Sequence, residues 1–447
     1  MGSQLRNKRG ITLIALVITI IVLLILAGVS ISMISSQDGI LNKAVVAKER
    51  KKQVEEKETL TLISQEVLIN GNGTIDIQDN TGDTDGSLKK EIEKNSDFIY
   101  KGNGIVESKK GRLYIVFDDG KVEEGTKIID LIGDVPIVAN ENLNVIDEYG
   151  NIFVLPKGFK IVVDDTTGNA KNVTQGIVIE DESANDDISK GNQFVWVPVG
   201  KIYTDINMSE AETKDINLKR CTFDNNGKII DSRVQLIPEG KIYNTTIVNE
   251  NSTYFIENKE LNDFVISAKR NHGYYIGRYE AGDDNATKKN EARNASSSGI
   301  LVCKANQQVY NFVTRELAIR KSKEMYSSNT FKSDLINSFA WDTAIACVQD
   351  FEGNKYSTTK GKSEVDTSKP QITGINRLAE TSSVDKQFNI YDMAGNVYEW
   401  TTENFSNLES VCVHRGGAYS GDYSTGYRGT NSDRAVISYG FRPILYF

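Results

Sequence analysis

The sequence predicts an α+β protein with a long N-terminal transmembrane helix ahead of a β-rich exterior. Three observations carry this. Residues 11–37, ITLIALVITIIVLLILAGVSISMISSQ, contain no charge between Arg9 and Asp38. Further on, short runs rich in Val, Ile, Phe and Tyr alternate with Gly/Asn/Asp loops, the pattern of strands and turns. Residues 314–325 and 335–349 have helical spacing. The 447 residues, 39% hydrophobic and 25% charged, suffice for two or three folding units and exclude wholesale disorder or a multi-span membrane protein.

Taken in order, residues 11–36 would span about 39 Å as a helix, where the hydrocarbon core needs roughly 20 residues. Arg6, Lys8 and Arg9 precede the run and almost nothing basic follows it until Lys43. The positive-inside rule therefore places the N-terminus in the cytoplasm and the bulk of a single-pass chain on the extracellular face. The run exceeds a signal-peptide core of about 7–15 residues, and no small-residue cleavage site follows it cleanly. Residues 40–69 keep helix-forming composition, with apolar Val46, Val54, Leu60, Ile63 and Val67 around the charge run KERKKQVEEKE, so 11–69 reads as a membrane helix and stalk. Asp38-Gly39 is the expected interruption, since a helix-interior Gly costs about 1 kcal/mol.

Residues 70–87, NGNGTIDIQDNTGDTDGS, form a turn-rich linker. A small β unit is expected over 88–145, including a strand at 112–118 that turns at Asp119-Gly120 into 121–124. The remaining 146–447 opens with strand-like runs at 151–155, 159–163, 176–180 and 193–199.

Composition removes several functions. A formal charge of -9 disfavours phosphate-led binding of nucleic acid. Only His272 and His414, with Cys221, Cys303, Cys347 and Cys412 in no CxxC pair, argue against zinc and iron–sulfur centres. Cys347 lies in the helical pattern WDTAIACVQDF and reads as a small buried hydrophobe. An exterior location permits a disulfide such as Cys303 with Cys412, although sequence assigns no pairing.

The segment LRNKRGITLIALV resembles a class III prepilin leader. That resemblance implies a bacterial surface protein, with cleavage by a prepilin peptidase between Gly10 and Ile11 and pilin-like subunits as partners. Residues 1–10 would be the leader, and their removal subtracts three positive charges, taking -9 to -12. Thr12, Leu13 and Ile14 match the family pattern. Its usual Glu at the fifth mature position is Ala15 here, which counts against fibre assembly and leaves anchoring intact.

Three C-terminal motifs, NIYDMAGNVYEWT (389–401), VHRGGAY (413–419) and YGFRP (439–443), follow in order. With GYYIGRYEAG (273–282) and QFVWVPVG (193–200) upstream, they resemble the formylglycine-generating enzyme, or sulfatase-modifying factor, family. The resemblance implies a C-type-lectin-like domain over 146–447 with little regular secondary structure. It also implies a structural Ca²⁺ site on Asp392, Gly395, Val397 and Glu399, and two carboxylates plus backbone carbonyls do suit that ion. The alternative for the same carboxylates is turn capping. Trp400 reads as core, Gly416-Gly417 as a tight turn, and Arg415 and Arg442 as buried hydrogen-bond organisers.

In the family's enzymes, the stretch between RGG and GFR carries two cysteines, five apart, that bind copper. Here Ser424 and Gly429 occupy those positions, so no copper and no formylglycine-generating activity are expected. The stretch instead places Tyr419, Asp422, Tyr423, Tyr427, Asn431, Asp433 and Tyr439 among Ser, Gly and Thr, a mixture like that of antibody paratopes. The leading expectation is an anchored, pilin-like surface protein displaying a non-catalytic domain that binds a protein or glycan ligand. The alternatives are an enzyme of this fold with different chemistry, a minor pilin or pseudopilin, and a variable target of a diversity-generating retroelement, whose adenine-directed mutagenesis would also yield Tyr, Asp, Ser, Asn and Gly.

Overall fold

The computed structural model describes residues 13–35, 40–71, 73–77, 87–133, 135–163, 170–183, 189–208, 212–230, 241–243, 255–257, 259–284, 299–328, 330–362, 372–375, 377–378, 383–404, 411–419 and 423–447. The chain divides into two compact units, 1–123 and 124–447.

In the first unit, α1 (Leu13–Ser35) and α2 (Ile40–Asn70) precede the short helix α3 (Leu88–Glu93) and the antiparallel strands β1 (Phe98–Gly102), β2 (Ile105–Ser108) and β3 (Leu113–Val116). Leu60 and Val67 of α2 are buried with Leu88, Ile92, Val106, Tyr114 and Val116 in one apolar cluster. The charge run is not wholly solvated: Glu56 takes both an Arg112 guanidinium nitrogen at 2.9 Å and the Tyr114 hydroxyl at 2.8 Å.

Two expectations are corrected here. The fold is not α+β built on a long transmembrane helix: among the described residues it is mostly β-sheet with few helices. Nor, among those residues, is any helix long and apolar enough to cross a membrane. The side chains of α1 are described from 16 to 27 only. The single-pass, extracellular-face localisation falls with the helix that was to support it. The leader cleavage residues Gly10 and Ile11 lie outside the described residues.

The second unit is built on two sheets. The first comprises β4 (Phe159–Ile161), β5 (Val178–Asp181), β6 (Gln193–Pro198), β7 (Gly273–Gly277), β8 (Lys332–Leu335) and, from the chain's end, β13 (Pro443–Tyr446), in the order β8-β13-β7-β6-β5-β4. The second comprises β9 (Tyr398–Asn404), β10 (Val411–Arg415), β11 (Arg428–Ser432) and β12 (Tyr439–Phe441), in the order β11-β10-β9-β12. Strand β12 runs parallel to β9, and one residue later the chain enters β13 between β7 and β8. The chain therefore changes sheets at Arg442.

Among the described residues, three α-helices complete this unit: α4 (Lys259–Arg270), α5 (Arg315–Met325) and α6 (Ser338–Glu352). Thr314 caps α5 by accepting from Leu317 N, and Asn337 caps α6 by accepting from Ala340 N, so both helices begin later than their spacing suggests. Gly353, at φ +66°, ends α6 in the left-handed conformation that glycine adopts freely. Trp341, Ala344, Ile345 and Val348 of α6 are buried with Trp196, Tyr274 and Tyr275 of the first sheet. All four cysteines are free and buried, so Cys303 and Cys412 form no disulfide.

Candidate functional site

Two buried ionic networks and one aromatic face gather most of the residues singled out by sequence. The first network sits where the sheets meet. Arg442, fully buried, donates to both Glu399 oxygens, with its Nη2 2.6 Å from Oε1 and its Nε 3.0 Å from Oε2. It also donates to the carbonyls of Gly277 at 2.9 Å and Tyr391 at 2.8 Å. Burial works against its charge, but Glu399 outweighs burial and raises its pKa. Close by, buried Glu280 accepts from Asn396 Nδ2 at 2.5 Å and Val397 N at 3.3 Å. Burial first, then Asp392 and Glu399, push its carboxyl well up.

Asp392 is also buried and accepts from Gly374 N at 2.5 Å. Of the implied calcium set, Glu399 is therefore committed to Arg442 and Asp392 to a backbone amide. Gly395 donates its N–H to the Asp392 carbonyl at 3.4 Å, and Val397 donates its own to Glu280. Among the described residues, no group of three or more His, Cys, Asp or Glu is arranged to hold a metal ion.

In the second network, buried Arg415 pairs with buried Asp342 of α6, and its Nε donates to the Tyr427 carbonyl at 3.0 Å. Arg428 bridges Asp342 at 2.7 Å and Glu403 at 3.1 Å, and Arg220 meets Glu403 at 3.0 Å. Burial alone would raise the Glu403 carboxyl, but Arg428, Arg220 and Arg415 together lower it. Among the described residues, Arg415 Nη1 has no hydrogen-bond partner. Sequence reading found Arg415 and Arg442 as organisers but missed Asp342 on α6, Glu403 and Arg428 on strands of the second sheet, and Arg220 in a loop, which come together only through the tertiary fold.

The aromatic face lies beside this second network. Tyr423 and Tyr427 stack at 3.9 Å between centroids, 23° from parallel, and Tyr423 is 45% exposed. Behind them pack Tyr398, His414, Tyr439 and Trp400, with Tyr439 stacked on Trp400 at 4.5 Å. His414 is buried, with Nδ1 unpartnered among the described residues, and burial together with Arg415 takes its pKa down to about 4, so it is a neutral ring at pH 7.

Glycines let this face close. A Cβ at Gly429 would overlap His414 Nε2 and lie 2.7 Å from a Tyr427 ring carbon. One at Gly417 would overlap the Ala394 carbonyl oxygen and lie 2.6 Å from that of Tyr423.

The other expected contact residues divide. Asn431 donates to the Tyr439 hydroxyl at 2.8 Å, and Tyr439 is buried, so both support the face from behind. Asp433 accepts from the backbone amides of Arg315 at 2.6 Å and Glu316 at 3.3 Å, capping α5. Tyr419 is half-buried and bonded through its backbone to Asn396. Asp422 lies outside the described residues. Of the copper positions, Ser424 sits in a bridge with Lys360 and Gly429 has no room for a side chain.

Residues 291–445 match the family model of the sulfatase-modifying factor enzyme 1-like domain. The C-terminal region thus carries such a domain. No curated protein matches the chain. Among solved structures, it is similar to the crystal structure of CarF, at 14% identity over 39% of this chain and 87% of that one, TM-score 0.27. It is also similar to the Treponema denticola variable protein 1, at 13% identity over 57% of this chain and 96% of that one, TM-score 0.28.

Proposed function

We propose that the C-terminal domain is a non-catalytic recognition domain whose contact face centres on Tyr423 and Tyr427. The observation that carries this is the stacked pair itself: Tyr423 is the more exposed of the two, at 45%, and a packed set of buried rings stands behind it. Preorganised tyrosines offer large contact area at low entropic cost, for a protein surface or for the apolar face of a sugar ring. What supports the non-catalytic part is position 429, where a copper-binding thiolate would overlap His414. The Asp392–Glu399 motif then acts as an ion-paired and turn-capped core element, and the donor set does not fit a calcium shell, because Glu399 already has both oxygens on Arg442.

Binding of the full-length chain to glycan and protein arrays tests this, with Tyr423→Ser as the control. The melting temperature of Tyr423→Ser is measured alongside, because the stack on Tyr427 is lost with the ring. Loss of the array signals in the variant supports the assignment, whereas signals that survive it, or silence of the wild type on both arrays, would remove it.

A further inference from the structure

A cavity of about 190 Å³ opens between α4, α5 and strands β8 and β13. It shares no residue with the aromatic face, and nothing proposed above uses it. Its floor is apolar, with Phe264, Leu335 and Ile444 among its lining. Two polar side chains on its wall are more than nine-tenths buried and short of partners. Asp334 is 7% exposed, and its carboxylate accepts one hydrogen bond, from the adjacent Leu335 N at 2.7 Å. Tyr446 is 4% exposed, and its hydroxyl has no hydrogen-bond partner among the described residues.

The cations nearby are already engaged. Lys323, whose charge reaches Asp334, pairs with Glu260 at 2.6 Å, and Arg315 donates to the Glu403 carbonyl at 3.0 Å. Burial lifts the Asp334 carboxyl to about 6, which still leaves it ionised at pH 7. A carboxylate buried this far is costly unless a cation or several donors meet it. The lining thus sets the carboxylates of Asp334 and Glu260, with the Arg315 guanidinium engaged by the Glu403 carbonyl, over an apolar floor, with a hydroxyl placed to accept a second bond.

The geometry points to a binding site for a small primary aliphatic amine, its ammonium on Asp334 and the Tyr446 hydroxyl and its alkyl group on Phe264, Leu335 and Ile444. An ammonium supplies three donors, enough for both groups with one left for water. The volume admits only a short chain.

Titration calorimetry on the full-length protein tests this with three probes of similar size: isoamylamine, neutral isoamyl alcohol and anionic isocaproic acid. The amine is expected to bind about tenfold or more tighter than the alcohol, the equivalent of one charge-assisted hydrogen bond, and the acid not at all. Asp334→Asn is expected to erase the preference for the amine, and Tyr446→Phe to reduce it. Should Asp334→Asn fail to fold, the wild-type ranking of the three probes still decides. The assignment is overturned if the amine does not bind, if amine and alcohol bind equally, or if a folded Asp334→Asn keeps the wild-type preference.

Discussion

Arg442 and Glu399 form a bidentate pair, both fully buried, at the point where the chain passes from one sheet to the other. Glu399 belongs to β9 of the second sheet, and the Gly277 carbonyl on the same guanidinium belongs to β7 of the first. One side chain therefore ties two sheets whose strands are far apart in sequence. Removing one partner leaves an uncompensated buried charge, which costs about 3–5 kcal/mol. Arg442→Met and Glu399→Leu should each lower the unfolding free energy by about that much in urea titrations, and the double variant by clearly less than the sum. Additive losses would show that the two residues act independently.

Asp385 gives a pH dependence of definite sign. It is buried, accepts from the Tyr356 hydroxyl at 2.9 Å and from Ala394 N at 2.8 Å, and burial outweighs both bonds to lift its carboxyl from 3.8 to about 6. A raised folded-state pKa means the native state holds a proton that the unfolded chain has released. Its contribution is fully present below 3.8 and is lost as pH rises through about 6. Asp385→Asn never ionises, so the wild type should lose up to about 3 kcal/mol relative to this variant between those two pH values. Urea denaturation of both proteins across that range measures it, and a difference independent of pH would refute the assignment.

Sequence motifs disclosed which residues would be buried and polar more readily than whom they would bind. Arg415 and Arg442 were legible because a guanidinium inside an otherwise apolar motif must find several acceptors. Asp342 was not, since it lies 73 residues from Arg415 on a helix whose pattern speaks only of core packing. The capping role of Asp433 was not legible for a related reason: short acidic side chains serve helix N-termini and ligand surfaces equally well, and only the position of α5 reveals the first of these roles. The cavity beside α4 had no sequence signal, being assembled from segments between Glu260 and Tyr446. In the N-terminal run, the sequence shows an uncharged stretch, and among the described residues no helix is long and apolar enough to cross a membrane.

Calcium should have little effect on folding. With Glu399 paired to Arg442 and Asp392 bonded to Gly374 N, an incoming ion would have to break both arrangements before gaining ligands. The melting temperature of the full-length chain should therefore be the same in excess Ca²⁺ and in chelator. A stabilisation of about 2.7 kcal/mol or more at a hundredfold excess over Kd would reveal a site and reverse this reading.

Restoring the family's cysteines should not restore its metal chemistry. In Ser424→Cys/Gly429→Cys, the new Cβ at 429 overlaps His414 Nε2 and crowds the Tyr427 ring. Both rings belong to a packed stack that includes Tyr398 and Tyr439, so neither can give way alone. Overpacking of this kind costs about 1–3 kcal/mol. The strain falls on the element that would have to present the thiolate, because β11 holds position 429 against β10 through the His414 pairing. The double variant should be less stable by about that amount, and titration with Cu(I) should find no stoichiometric two-thiolate site. Gly429→Ala separates the causes: it adds the Cβ without the sulfur and should carry most of the destabilisation. If Gly429→Ala were as stable as the wild type and the double variant bound one equivalent of copper, the closed packing around His414 could not be what keeps a thiolate site out of this domain.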